Sequence, residues 1–209
     1  MAMHAVLTCD IVNSTRLPAL KAKKLMQAIQ QIFSGCIMEF YRGDSFQVYL
    51  SHPKDALKLA LQARLAAIQL SFGDKNKVAS DIKISIGLGT VEIPVKNLKT
   101  ARGEAFLLSG RLFDTMAALN QRLVFGIQHA LAQEALQILS AYVDAIFNEL
   151  TAKQAAVLIE LMRGEMQQTI ALKMKKSKST IHQHVVSARW QEIEALLQHY
   201  ENMIQLIMV

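Results

Sequence analysis

The stretch "FYRGDSFQVYL", residues 40–50, decides how this chain folds. Apolar and aromatic residues stand on both sides of Gly43-Asp44, the composition of two short strands folded back through a turn. One carboxylate, Asp44, is left at the hairpin tip. Upstream, "HAVLTCDIV" (4–12) is a short apolar run that reads as a buried first strand, with Asp10 at its end. Between them, "ALKAKKLMQAIQQIF" (19–33) spaces Leu20, Leu25, Ile29 and Ile32 as an amphipathic helix does, with lysines on the outer face.

Downstream, "PKDALKLALQARLAAIQL" (53–70) is a second helix opened by Pro53. "SDIKISIGLGTVEI" (80–93) alternates Ile82, Ile84, Ile86 and Leu88 with small or polar residues, so a half-buried strand is expected. "GEAFLLSGRLFDTMAAL" (103–119) is a third helix and "RLVFGI" (122–127) a last strand. The order strand, helix, hairpin, helix, strand, helix, strand implies an α/β (α+β) sandwich of the ferredoxin-like kind, with an antiparallel or mixed sheet. From about residue 128 strand signals vanish, which implies an α/β domain over 1–128, a connecting helix over 129–149 and an all-helical unit over 150–209.

Such a sheet brings the end of the first strand beside the hairpin. Asp10 and Asp44 are then placed to hold Mg²⁺, an ion content with one or two carboxylates plus phosphate and water. The same residues suit plainer roles, Asp44 as a turn residue and Asp10 as a cap on the chain entering the next helix. Ser14 suits a helix cap or a phosphate, Arg42 an exposed turn or a phosphate, and Arg111 a solvated helix surface. Glu104, near the start of the third helix, suits the helix dipole.

"CDIVNSTRL", "YRGDSF", "ISIGLGTVE" and "ARGEAFLLSGRLFD" stand in the order and at about the spacing of the class III nucleotidyl cyclase catalytic domain. More closely, residues 4–118 resemble the SatD family of bacterial proteins, with its "GDIVNS"-like and "GDEFQ"-like motifs. The resemblance implies a cyclase-like fold, a nucleotide ligand, metal ligation by Asp10 and Asp44, and a phosphate-directed arginine at Arg111. It also implies that Phe40 stands where cyclases carry a purine-reading lysine, and Leu107 where they carry an asparagine. Cyclisation without those positioning groups is slower by orders of magnitude, so efficient cyclase activity is not expected.

"LTAKQAAVLIELMRGEMQQTIALKMKKSKSTIHQHVVSAR" (150–189) reads as three helices. Thr151 and Gln154 form a capping box, Gly164 ends the first helix, and Ser177 caps the third. Ile170, Ala171, Ile181, Val185 and Ala188 turn inward. The segment resembles, without gaps, the helix-turn-helix of the LuxR and sigma-factor region 4 type. It departs at the turn, where Lys175 replaces a glycine and Lys176 an apolar residue. On this reading Lys178, Ser179, His182 and Gln183 face base edges, and Lys173, Lys175 and Lys176 face phosphates. "HQHVVSARWQEIEALLQHYENMIQLIMV" (182–209) is expected to run on as one long helix whose apolar stripe is covered by a second copy or by the N-terminal half.

With 52% hydrophobic and 19% charged residues the chain is globular rather than disordered, and its net charge of +6 is compatible with nucleic acid. No apolar stretch has membrane-spanning length, and the start reads as a strand rather than a leader. Cys9 and Cys36 are too few for a disulfide framework, which fits the cytoplasm. The expected function is a homodimeric, DNA-binding transcriptional regulator with a degenerate cyclase-like domain that senses a nucleotide or metal. The alternatives are a Mg²⁺-dependent nucleotidyl or phosphoryl-transfer enzyme using Asp10 and Asp44, and a protein–protein assembly module.

Overall fold

A computed structural model describes residues 2–41, 43–70 and 80–208. Its elements are β1 (His4–Val12), α1 (Ala19–Ile32), β2 (Ile37–Tyr41), β3 (Ser45–Leu50), α2 (Ala56–Gln69), β4 (Asp81–Gly89), α3 (Glu104–Leu119) and β5 (Leu123–Gly126). They are followed by α4 (Ala130–Phe147), α5 (Ala152–Met162), α6 (Gln167–Met174), α7 (Lys178–Ser187) and α8 (Trp190–Ile207). The sheet order is β2-β3-β1-β4-β5, antiparallel except for the parallel β4–β5 edge. β1-α1-β2-β3-α2-β4 is thus a ferredoxin-like unit, and α3 carries the chain across to a fifth, parallel strand.

β1 is central because it is apolar on both faces. Leu7, Cys9 and Ile11 point into the core beneath α1 and α2, while Val6 joins Tyr49, Leu98 and Ala105 on the opposite face. β4 is not half-buried as its alternation suggested. Its second face is covered by α3, and every described position but Lys83 is buried. The glycines make this possible: Gly87 pairs with Gly126 across β4 and β5, and α3 rests on that floor. A Cβ at Gly87 would lie 2.1 Å from the Ala105 carbonyl oxygen, and one at Gly126 would lie 2.6 Å from Leu112.

α2 is apolar nearly all round because it is covered twice, by the sheet and by α5. Within it Arg64 is fully buried. Its guanidinium donates to Asp81 through Nε (3.0 Å) and Nη2 (2.8 Å), and to Asp144 through Nη1 (2.6 Å). It also lies 4.8 Å from the centre of the Phe147 ring. The second oxygen of Asp144 accepts from the backbone N–H groups of Arg122 and Leu123 at the start of β5. One paired cation therefore joins α2, β4, α4 and β5.

The main core runs on past residue 128. Leu136, Val143 and Phe147 of α4, Leu158 and Met162 of α5, and Ile193, Tyr200 and Ile204 of α8 all belong to it. A second, smaller cluster unites α5, α6 and α7 through Val157, Ile170, Ala171, Ile181 and Val185. The expected single C-terminal helix is broken. Arg189 adopts a left-handed conformation (φ 56°, ψ 40°), separating α7 from α8. The reason is tertiary: the Arg189 guanidinium is held by Glu192 at 2.6 and 2.8 Å and stacks 5.0 Å from the Tyr142 ring centre. The turn sends α8 back over the N-terminal half, where Tyr200 donates to the Pro53 carbonyl (2.8 Å) and packs on Phe125. Of the two expected covers for that stripe, the chain's own N-terminal half supplies it. No described helix is long and apolar enough to cross a membrane.

Candidate functional site

The end of β1 and the hairpin do meet. Asp10 pairs with Ser45 across β1 and β3, and Ser45 Oγ donates to Asp10 Oδ1 at 2.7 Å. The Asp44 carbonyl accepts from the Ile11 N–H at 3.2 Å, which closes the ladder. Ser14 Oγ donates to Asp44 Oδ2 at 2.6 Å. Ser14 therefore orients a carboxylate, a role that neither capping nor phosphate binding had suggested. Each aspartate is held by its own hydroxyl.

The two carboxylates differ in outlook. Strand alternation sets Asp10 on the face of β1 opposite Cys9 and Ile11, in register with Lys83 of β4. Its neighbour on that face, Thr8, meets Ser109 of α3 at 3.1 Å and accepts from Gln47 at 3.2 Å. Asp44 instead lines a cavity of about 280 Å³ on the α1 side, with Ile11, Ser14, Leu17, Leu25 and Met26 among its walls. Among the described residues no group of three or more His, Cys, Asp or Glu side chains is arranged to hold a metal ion. A Mg²⁺ ion here would depend on phosphate and water for most of its ligands.

Arg111 lies elsewhere. It is exposed and lines a separate cavity of about 680 Å³ with Arg102, Glu104, Leu107 and Gln128, beside the start of α3. Within one chain, then, Arg111 and Asp44 border different cavities. Leu107 is 58% exposed and plugs neither carboxylate. Phe40 packs on Phe46 at 5.4 Å between ring centres, against the core. Glu104 Oε2 accepts from the Thr90 N–H at 3.2 Å, tying the start of α3 to the end of β4. Arg42 lies outside the described residues.

The second candidate surface is built by α5, α6 and α7. Gln154 N–H donates to Thr151 Oγ1 and Gln154 Oε1 accepts from the Thr151 N–H, completing the capping box. Gln154 also donates to Ser187 Oγ at 2.9 Å, which fixes the start of α5 to the end of α7. Between α6 and α7, Lys175 takes the left-handed conformation (φ 52°, ψ 48°) that glycine would adopt without strain. The Lys176 N–H then reaches the Ala171 carbonyl at 3.0 Å, and Ser177 Oγ caps α7 through the Thr180 N–H at 3.1 Å.

With Ile181 and Val185 buried, α7 turns Lys178, Ser179, His182 and Gln183 to solvent, beside the exposed Lys175 and Lys176. Residues 166–189 contain no Asp or Glu. Lys173 is engaged elsewhere: its ammonium meets Glu165 at 2.6 Å and Glu160 at 2.9 Å. Partial burial pushes the Glu160 carboxyl up, but the hydrogen bonds from Lys173 and Arg163 outweigh it and hold Glu160 below the usual carboxylate range. The sequence reading missed the Arg64–Asp81–Asp144 cluster altogether. Its signal was an arginine as the one charged residue of "LALQARLAAIQL".

No family model and no curated protein matches the chain. Solved structures do. A bacterial light-regulated adenylyl cyclase is 18% identical, with a TM-score of 0.41, over 59% of this chain and 75% of that one. The active GGEEF domain of a diguanylate cyclase from Vibrio cholerae is 15% identical, with a TM-score of 0.41, over 60% of this chain and 84% of that one. The catalytic core of a rhodopsin-guanylyl cyclase with converted specificity, in complex with ATPalphaS, is 21% identical, with a TM-score of 0.36, over 55% of this chain and 72% of that one.

Proposed function

We propose that this chain is a DNA-binding regulator in which α7 enters the major groove of duplex DNA and the sheet unit serves as its scaffold. The observation that carries the reading is the exposed face of α7. Lys178, Ser179, His182 and Gln183 lie together near a helix N-terminus, next to the Lys175–Lys176 turn and away from any acid in 166–189. Lys175, Lys176 and Lys178 serve as phosphate contacts and Ser179, His182 and Gln183 as base-edge contacts. Lys173 has a lesser part, because Glu160 and Glu165 already neutralise it. Fluorescence anisotropy with duplex DNA at stepped salt tests this. Three phosphate contacts give a slope of log K against log salt of about −2.7, and each lysine removed lessens it by about 0.9. Absence of binding at low salt rejects the reading.

A second reading concerns the aspartates, and the observation favouring it is the pair of hydroxyl-held carboxylates on adjoining strands. Here Asp10 and Asp44 hold Mg²⁺ against a nucleotide's phosphates, as their resemblance to SatD-like and cyclase motifs implies, with Ser14 and Ser45 orienting the carboxylates. The ion would supply charge neutralisation at the phosphates. Calorimetric titration of Mg²⁺ with a nucleoside triphosphate tests it, and heats unchanged by Asp10→Asn and Asp44→Asn reject it.

A further inference from the structure

α7 carries one large apolar side chain on its open face. Ile181 and Val185 are buried with Val157, Ile170 and Ala171. Val186 is 63% exposed and belongs to none of the buried clusters. Around a helix that advances about 100° per residue, Val186 falls between His182 and Ser179, with Lys178 and Gln183 beyond them on either side. All four of those residues are exposed. Helix preference does not explain a valine in such a place, since its branched side chain makes it a poorer helix former than alanine or lysine.

We infer that Val186 is a specificity residue that reads the C5-methyl group of a thymine in the major groove. The inference rests on the DNA reading above and names a base within its target. Val186 lies at the angular centre of the five outward residues. An approach that sets Ser179, His182 and Gln183 against base edges therefore buries Val186 there as well. Thymine carries the one methyl group that the four bases present in the major groove. A polar edge in that place would leave its donor or acceptor facing a side chain that cannot pair with it, and an unpaired buried polar group is costly.

Position separates Val186 from the other exposed apolar residues nearby. Met166 and Leu172 are 73% and 75% exposed, but they belong to α6 and its cap rather than to the face of α7. Phosphate contacts from Lys175, Lys176 and Lys178 position the helix without carrying sequence information. Val186 instead distinguishes thymine from the same base without its methyl group. Taking one methyl group out of water corresponds to about a fourfold difference in affinity.

Selection of tight-binding duplexes from a random pool by the full chain supplies a target, and fluorescence anisotropy supplies the affinities. Each thymine of the selected duplex is then replaced in turn by deoxyuridine, which removes only the methyl group. One replacement is expected to weaken binding about fourfold in the parent chain and to leave Val186→Ala indifferent. Leu172→Ala is expected to keep the full penalty. Val186→Ala puts a better helix former at a solvent-facing position, so its circular dichroism is expected to match the parent's. Binding that no replacement weakens, or a penalty equal in the parent and in Val186→Ala, overturns the inference and leaves the DNA reading standing. Absence of binding at low salt overturns both.

Discussion

Arg64 and Asp81, seventeen residues apart in sequence, share a two-pronged hydrogen bond at 3.0 and 2.8 Å with no solvent contact on the arginine. Asp81 begins β4 and Arg64 sits in the middle of α2, so the pair locks the helix to the sheet. Asp144 closes the cluster from α4. The cation is compensated by two carboxylates, and one of these also receives two backbone N–H groups.

Removing one member leaves the others buried and unbalanced. Asp81→Ala is expected to cost about 3–5 kcal/mol of unfolding free energy, the range for breaking a buried pair. Replacing all three, as Arg64→Met with Asp81→Asn and Asp144→Asn, is expected to cost less than the single change. Urea unfolding of the parent, the single variant and the triple variant decides this; a larger loss in the triple variant than in Asp81→Ala would mean that the three groups are not coupled.

Gly87→Ala drives a methyl group into the Ala105 carbonyl and forces α3 away from the sheet. A loss of about 1–3 kcal/mol is expected, as for overpacking elsewhere. Gly110, also on α3, has nothing within 4 Å of its would-be Cβ. Gly110→Ala is therefore expected to raise stability by about 0.4–1 kcal/mol through its helix preference. Thermal melts of the two variants should move in opposite directions.

Lys175 separates stability from binding. Its left-handed backbone costs a side-chain-bearing residue about 1 kcal/mol that glycine avoids. Lys175→Gly is expected to raise the melting temperature and, if α7 reads DNA, to lessen the salt slope by about 0.9. Lys173→Ala is expected to change the slope far less, because Glu160 and Glu165 compensate that charge in the free protein.

Glu192 gives the chain an acid-sensitive contact. The hydrogen bonds of Arg189 and then Tyr142 lower its pKa to about 2 in the folded protein, against an ordinary value of 4.5. A carboxyl depressed on folding stabilises above its unfolded pKa. The contribution is therefore complete above about pH 4.5 and is lost as pH falls toward 2. Urea midpoints measured between pH 2 and 5 should fall less steeply for Glu192→Gln than for the parent chain; identical slopes would show that the contact does not form in solution.

Much of the fold is legible in local pattern. The alternation of "HAVLTCDIV", the turn in "YRGDSF" and the caps at Thr151 and Ser177 each depend on neighbours a few residues away, and each element lies where those neighbours put it. The same holds for the meeting of Asp10 with the hairpin, because hairpin and first strand can pair in few registers. What was not legible involves distant partners. Ser14 reads as a cap until Asp44, thirty residues on, takes its hydroxyl. Lys173 reads as a free phosphate ligand until α5 brings Glu160 beside it.

The sequence by itself determined the elements, their order and the sheet they make, because hydrophobic period and turn chemistry are short-range properties of the chain. Only the tertiary structure decided that β4 is buried twice, that α7 and α8 part at Arg189, and that Arg64 spends its charge inside. It also decided that Arg111 and Asp44 border separate cavities. Each of these depends on which surfaces come to rest against one another, and the free energy of burying a face or pairing a charge exists only once the partner, up to 80 residues away, is in place.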